Sequence, residues 1–267
     1  MRTDDTVYAN VNKIGVCFKC GQCMAICPTQ SIVVDGLSYS QDFFDLPEMH
    51  NQPEYFSNLI STRRAIRNFK EKTVEKELLD EIVKAIAFAP PGFPPLKYDL
   101  VVVQNSAIIK QALPYMIQLY DFLVNAMNNP IKRIFIKKEV GELRFRTMKE
   151  HLIPLLKMKL PGLKDGTEDT ITRNAPAMIL FLADKTGEDI SEDIHIAATY
   201  GILSAHSLGL GASIMDLIPP AINKKIELRK MFGLAENQDV IASIILGYPK
   251  YTFQRGIKRQ IRNVWWI

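Results

Sequence analysis

The chain has 267 residues, 47% hydrophobic and 23% charged, which is enough to bury a substantial core as one large domain with a small appendage. Its net charge of +4 is spread without any block of like charges, which argues against a nucleic-acid arm or a polybasic membrane anchor. No stretch approaches the ~18 consecutive apolar residues of a membrane span, and Met1-Arg2-Thr3-Asp4-Asp5 lacks a signal-peptide pattern, so a soluble cytoplasmic protein without nucleic-acid or membrane partners is expected.

The first chemistry along the chain is a cysteine run. Cys17, Cys20, Cys23 and Cys27 are all the cysteines there are, too crowded to staple a chain this long with disulfides. Their spacing, C-x2-C-x2-C-x3-C followed by Pro28, is the bacterial ferredoxin pattern for a 4Fe-4S cluster. Closely spaced thiolates can wrap successive corners of a small cluster, and Gly21 lets the backbone pass near its sulfides. Zinc would also accept four thiolates, but zinc knuckles usually bring two separated cysteine pairs together. Residues 13–36 resemble one half of a two-cluster ferredoxin, including a short β-rich stretch, Ser31-Ile32-Val33-Val34-Asp35-Gly36. In two-cluster ferredoxins the fourth cysteine of a run ligates the other cluster, yet only one run is present here. Two such segments could pair across a dimer, Cys27 of each chain completing the cluster of the other. A local four-cysteine site, an incomplete cluster with a non-cysteine ligand and a segment that has lost its metal are the alternatives.

The composition then changes, giving three expected units: an iron-sulfur segment over residues 1–40, a linker over 41–56 with Pro47 and Pro53, and a large domain over 57–267. Phe43, Phe44 and Phe56 could dock the linker. Ser61-Thr62-Arg63-Arg64-Ala65-Ile66-Arg67-Asn68-Phe69 places three guanidinium groups within five residues, a pattern suited to a phosphorylated cofactor or, blandly, to a solvated basic turn. Leu78, Leu79, Ile82, Val83 and Ile86 recur at helical spacing, and this helix should end before Pro90-Pro91-Gly92. Residues 98–104 read as a strand. Residues 106–160 read as irregular helix, with Pro114, Pro130 and Pro154 as breakers. Residues 177–183 are almost wholly apolar, as in a buried strand, and 194–210 are apolar on nearly every face, as in a helix buried in a core or a subunit interface. A strand over 240–246 ends at Gly247-Tyr248-Pro249, and a basic tail follows. His195 and His206 read as core or interface histidines, His151 as a surface one, and Trp265-Trp266-Ile267 as interface packing. Gly209-Leu210-Gly211 lacks the third glycine of a dinucleotide fingerprint, and no Ser-His-Asp or Cys-His pairing can be assembled.

Taken in order, these motifs resemble the nitroreductase family over residues 54–267. The residues that carry the resemblance are the 61–69 segment, Ala89-Pro90-Pro91-Gly92 ahead of its strand, and Asn174-Ala175-Pro176. Glu192-Asp193, the Gly-Leu-Gly turn and the Gly-Tyr-Pro turn followed by Arg255, Lys258 and Arg259 complete the set. With the cysteine run, the chain is similar to the subgroup in which a ferredoxin-like segment precedes the nitroreductase domain. The resemblance implies an α+β fold, a central mainly antiparallel sheet flanked by helices, forming a homodimer with FMN at its interface. It implies no catalytic side chain. Arg63, Arg64 and Arg67 would hold the FMN phosphate and ribityl region, with Arg259 and Lys258 approaching from the tail. Ala65 stands where serine is frequent. Pro91 and Gly92 would line the flavin, and the backbone of Ile214, Met215 and Asp216 would lie near its N5. Phe93-Pro94-Pro95-Leu96 departs from the polar loop many relatives carry. The implied activity is electron transfer, by way of the iron-sulfur cluster or directly, to a small planar acceptor such as a nitroaromatic or quinone, with ferredoxin or NAD(P)H as donor. The alternatives are a non-catalytic flavin or iron-sulfur protein that carries electrons or senses redox state, and a flavin-destructase-like or dehalogenase-like enzyme built on the same fold.

Overall fold

The computed structural model describes residues 2–3, 6–7, 19–46, 52–92, 97–185 and 190–267. Two short strands, β1 (Arg2–Thr3) and β2 (Thr6–Val7), pair antiparallel. They are followed by α1 (Gln22–Ala25), α2 (Tyr39–Asp42) and α3 (Gln52–Thr62). The stretch 31–36, expected to be β-rich, forms no strand: it runs without regular structure into a turn at Asp35-Gly36. Isolated apolar β-branched residues make a strand only where a neighbour offers a ladder, and the described residues around them offer none. The backbone is tied to a side chain instead, the Tyr39 hydroxyl donating to the carbonyls of Met24 (3.2 Å) and Ile32 (3.0 Å).

The large domain is built on β3 (Tyr98–Val103), β4 (Ala177–Asp184), β5 (Gly211–Ile214) and β6 (Gln238–Gly247). They pair antiparallel throughout in the order β3-β4-β6-β5. Strand β4 is central because every residue from Ala177 to Ala183 is apolar, and all of them are buried. Its side chains alternate between two cores: Met178, Leu180 and Leu182 enter one, Ala177, Ile179, Phe181 and Ala183 the other. A register shift in the β4–β6 pairing, after Phe181, skips Ile241 and returns Val240 to the first core while Ala242, Ile244 and Leu246 face the second.

The first core is covered by α5 (Ser106–Asn128), α8 (Ile153–Asp165), α10 (Ile218–Lys224) and α11 (Ile226–Met231). Pro114 was expected to break the first of these and does not. It sits exposed within α5, whose stripe of Ile109, Ala112, Met116, Tyr120, Val124 and Met127 is buried, and that packing outweighs the ~3 kcal/mol a proline costs inside a helix. Pro130 instead starts a helix, where no amide is needed, and Pro154 follows a π turn within a continuous helical run. Pro130 opens α6 (Pro130–Val140), capped by the Asn129 side chain, which accepts from the amides of Ile131 and Lys132. Pro154 lies in the first turn of α8, which is reached from α7 (Glu142–Thr147) through a wide π turn over Met148–Leu152.

The second core is covered by α4 (Lys76–Ala87) and α9 (Ile190–Ser207). The expected helix before Pro90 is α4, burying Leu79, Ile82 and Ile86. Helix α9 buries Ile194, Ala197, Ala198, Ile202 and Ala205. Gly201 lets it approach α4 closely, since an added Cβ would lie 3.1 Å from the Ile86 side chain. The opposite face stays partly open among the described residues: Ile196 is 41% and Tyr200 38% exposed, so the burial all round that was expected is not seen there. Among the described residues no helix is long and apolar enough to cross a membrane.

Candidate functional site

The segment carrying the three arginines is laid across one end of the sheet. Ala65 bridges Ala212 in parallel, the Ile66 amide donates to the Ala212 carbonyl at 3.0 Å, and Phe69 bridges Pro249. Lys70 N donates to Tyr248 O at 2.8 Å, and Lys250 N returns to Asn68 O at 3.0 Å. Two glycines make this approach possible. A Cβ on Gly211 would stand 2.6 Å from Ile66 Cβ, and one on Gly247 would stand 2.6 Å from Pro176 Cγ and 2.7 Å from Phe69 Cδ1. The Gly-Leu-Gly, Gly-Tyr-Pro and Asn-Ala-Pro motifs thus meet at one place, where they seat the arginine segment. The Tyr248 hydroxyl donates to Glu75 at 2.6 Å, Lys72 pairs with Glu75 at 3.0 Å, and the Lys72 ammonium lies 3.9 Å over the Tyr248 ring. The Tyr248 hydrogen bond, then the backbone and Lys72, hold the Glu75 carboxyl down to about 2.

Beside the start of this segment lies a cavity of about 490 Å³, lined by Arg63, Arg64, Lys258 and Arg259 together with Ile60, Ser61, Gly256 and Ile257. Four cations and no acid face it. Arg64 Nη1 donates to the carbonyls of Ser61 (2.9 Å) and Arg63 (2.6 Å), while its Nε is buried without a partner. Burial, then Arg64 and Arg259, lower the Arg63 pKa, so the charges repel until an anion arrives. Gly256 was not singled out in the sequence. An added Cβ there would sit 3.1 Å from Arg64 Nη2, and a glycine between two basic positions was the available signal. Among the remaining cofactor candidates, Ala65 lies in the bridged segment, but Arg67 lines a different, larger cavity and is not gathered with Arg63 and Arg64.

His206 Nε2 lies 2.9 Å from the Thr62 hydroxyl, joining α9 to the end of α3. Burial first, then Arg63 and Arg64, push its pKa below 6.5. The folded chain therefore binds fewer protons here than the unfolded one between that lowered value and ~6.5, and stability must rise with pH across this window. His206→Gln is expected to flatten that rise in urea midpoints measured over a pH series; an unchanged slope would remove His206 as its source.

The flavin-loop candidates are partly described. Gly92 N donates to Asp193 Oδ1 at 2.9 Å, which pins the loop after α4 to the first turn of α9. Pro91 precedes it, and Phe93-Pro94-Pro95-Leu96 lies outside the described residues. Strand β5, α10 and α11 were not expected from the sequence; Ile214, Met215 and Asp216 lie where β5 ends, beside the middle of β6. Met215 is buried and its backbone is engaged on both sides, its amide donating to Ser243 O (3.1 Å) and its carbonyl accepting from Ser243 Oγ (2.9 Å). Asp216 is exposed. Tyr120 donates to Leu217 O at 2.5 Å and fixes the turn beyond.

Of the cysteines, Cys17 lies outside the described residues, Cys20 and Cys23 are exposed, and Cys27 is half-exposed. Cys27 Sγ accepts from Ser31 N at 3.3 Å and lies 3.6 Å from Thr29 Oγ1. These bonds, led by the Thr29 hydroxyl, bring its thiol down to about 7. Among the described residues no group of three His, Cys, Asp or Glu side chains is placed to hold a metal ion.

Residues 60–248 match the model of the nitroreductase family. Among curated proteins, the chain is 24% identical over 195 residues to a protein of Methanothermobacter thermautotrophicus whose name, NADH dehydrogenase/NAD(P)H nitroreductase, is provisional; 71% of this chain and 75% of that protein are covered. It is 22% identical over 224 residues to iodotyrosine deiodinase 1 of Rattus norvegicus, covering 81% and 70% respectively. Among solved structures, the FMN-bound nitroreductase of Bacteroides fragilis superposes with a TM-score of 0.57 at 17% identity, covering 82% of this chain and 99% of that one. The family match spans well over half of the sequence, and the antiparallel sheet between two helical layers is the fold of that relative: the chain is an enzyme of the nitroreductase family.

Proposed function

We propose that the chain is an FMN-dependent oxidoreductase, acting as a homodimer, that passes electrons from NAD(P)H or a ferredoxin to a small planar acceptor such as a nitroaromatic or a quinone. The observation that carries this reading is the 490 Å³ cavity with four cations, no acid and an orphaned Arg64 Nε, which fits a terminal phosphate. Arg63 and Arg64 would take that phosphate from one side and Lys258 and Arg259 from the other. Ala65 and Ile66 would run beneath the ribityl chain. Pro91 and Gly92, held by Asp193, and the turn at Ile214, Met215 and Asp216 would border the ring. When bound, the flavin supplies hydride or single-electron chemistry, and the chain's own groups bind, orient and shield. The bound FMN of the Bacteroides relative supports this choice of cofactor. The archaeal and rat relatives are named for different reactions, so likeness alone does not select the acceptor.

The homodimer is supported by apolar surface left open on adjoining elements: Tyr55, Phe56 and Ile60 on α3, Ile196 and Tyr200 on α9, and Trp265-Trp266-Ile267 in the tail. The 4Fe-4S cluster is supported by the cysteine spacing alone. The flavin reading does not depend on it, and the division into 1–40, 41–56 and 57–267 remains part of this proposal. Helix α3 already begins at Gln52 within the second of these.

The test is flavin affinity. Arg63→Gln and Arg259→Gln, each titrated as apoprotein with FMN by fluorescence, are expected to lose about 1 to 3 kcal/mol of binding, the range for a charge-assisted hydrogen bond. Unchanged affinity in both variants would remove the phosphate assignment.

A further inference from the structure

A second cavity, about 790 Å³, shares no lining residue with the one just described. It is walled by the stretch from Arg67 to Thr73, by Ser106 and Lys110 at the start of α5, by Lys159 in α8, and by the loop from Glu168 to Pro176 that leads into β4. Seven Lys or Arg side chains line it against three Asp or Glu.

Of the three acids Glu71 is exposed and offsets one charge, while the other two are engaged by their own surroundings. The Asp169 carboxylate is occupied by its own loop, accepting from the amides of Ile171 (3.0 Å), Thr172 (2.7 Å) and Asn174 (2.8 Å) and from the Thr172 hydroxyl. Glu168 is taken by Lys159 at 2.8 Å, and Lys72 has its partner in Glu75. Arg67, Lys70, Lys110 and Arg173 have no carboxylate within ion-pairing distance among the described residues.

Arg173 is the most constrained of these. Its Nε is buried with no hydrogen-bond partner. Its backbone has φ 59, and Asn174 beside it has φ 50, two consecutive left-handed residues of which the arginine is the costlier. The Asp169 carboxylate holds that loop in place, which points the arginine at the cavity with its donors unspent. Burial first, then the Arg67 guanidinium, lower the Arg173 pKa, while Asp169 and Glu168 offset this in part. Two guanidinium groups therefore repel each other across one polar cavity.

We propose that this cavity is a second anion site, which binds a compact phosphate compound between Arg67 and Arg173 with Lys110 and Lys70 around it. Guanidinium forks match phosphate oxygens two at a time, and an uncompensated surplus of this size calls for more than one negative charge. Phe69 and Pro176 are the only apolar side chains in its lining, so the wall is predominantly polar and charged and suits a bare or sugar-sized phosphate better than a planar acceptor. The site is independent of the flavin assignment, since Arg63, Arg64, Lys258 and Arg259 lie in the other cavity.

Inorganic pyrophosphate is the probe, titrated calorimetrically at low salt into FMN-saturated protein and into apoprotein, with citrate as a carboxylate of comparable charge. The apoprotein leaves the first cavity open as a further anion site, so the reference is the FMN-saturated form, in which saturable pyrophosphate binding is expected. It should weaken about tenfold or more in Arg173→Gln, less in Lys110→Gln, and stay within about twofold in Arg63→Gln, whose loss falls on FMN instead. Arg173→Lys, which keeps the charge and loses the fork, should lie between. Should Arg173→Gln melt early because of its loop, the exposed pair Lys70→Gln and Lys110→Gln carries the same comparison. Absence of saturable binding at millimolar pyrophosphate, equal affinity in wild type and the Arg173 and Lys110 variants, or a preference for citrate would each overturn the proposal. A normal pyrophosphate result in a chain that fails to bind FMN would sink the flavin reading alone.

Discussion

Phe181→Ala is expected to destabilise the chain by about 3 to 5 kcal/mol, the range for emptying a buried phenylalanine site. The ring is fully buried in the middle of β4, between partners on both sides, and stands 6.3 Å centroid to centroid from Tyr98 on β3. It belongs to the core that seats α4 and α9, and α9 carries both Asp193, which holds Gly92, and His206, which meets Thr62. Little there can collapse inward, because the neighbours Ala177, Ala183 and Ala242 are already small. With total stabilities of roughly 5 to 15 kcal/mol, such a loss leaves a thin margin. Urea unfolding should show a lower midpoint at unchanged slope. A loss under about 1 kcal/mol would mean that the site repacks and that the ring is not a keystone of this core.

How far the sequence spoke depends on what kind of signal each element carried. Strands β3, β4 and β6 and helix α4 were legible because apolar runs and helical spacing report burial directly. Strand β5 was hidden. Its four residues, Gly211-Ala212-Ser213-Ile214, have little bulk, and the reason is packing that the sequence does not display: Gly211 must admit Ile66. Pro114 misled for the complementary reason, since a local penalty was overruled by a long buried stripe. Of the site, the arginines and the basic tail were legible as phosphate-binding residue types, and the structure gathers Arg63, Arg64, Lys258 and Arg259 around one cavity. That Arg67 turns to another cavity could not be read, because the partition depends on how the 63–70 segment crosses the sheet end. The role of Arg173 was equally hidden, resting on a left-handed backbone set by Asp169.

Gly211→Ala is expected to strike both stability and the phosphate cavity at once. The added methyl carbon would meet Ile66 Cβ at 2.6 Å and its two γ carbons at 2.6 and 2.7 Å, far inside contact distance. Flexible tips are not the obstacle. The β carbon of Ile66 moves only with its backbone, and that backbone is fixed by the Ile66 amide on the Ala212 carbonyl at 3.0 Å. Either the 63–70 segment lifts from the sheet edge or β5 shifts against β6, and overpacking of this kind costs about 1 to 3 kcal/mol, occasionally more. Lifting the segment also displaces Arg63 and Arg64 relative to Lys258 and Arg259, so FMN affinity should fall although no ligand-binding group is altered. Gly247→Ala, facing Pro176 and Phe69 at 2.6 and 2.7 Å, should destabilise comparably through the other end of the same seat. A paired change separates the mechanism from general damage. Ile66→Gly alone should cost stability by cavity formation and added backbone freedom, but combined with Gly211→Ala it removes the obstructing β and γ carbons and should recover part of the loss in both melting temperature and flavin affinity. Strict additivity of the two changes would show that Gly211 and Ile66 do not bear on each other, and that the arginine segment is held elsewhere.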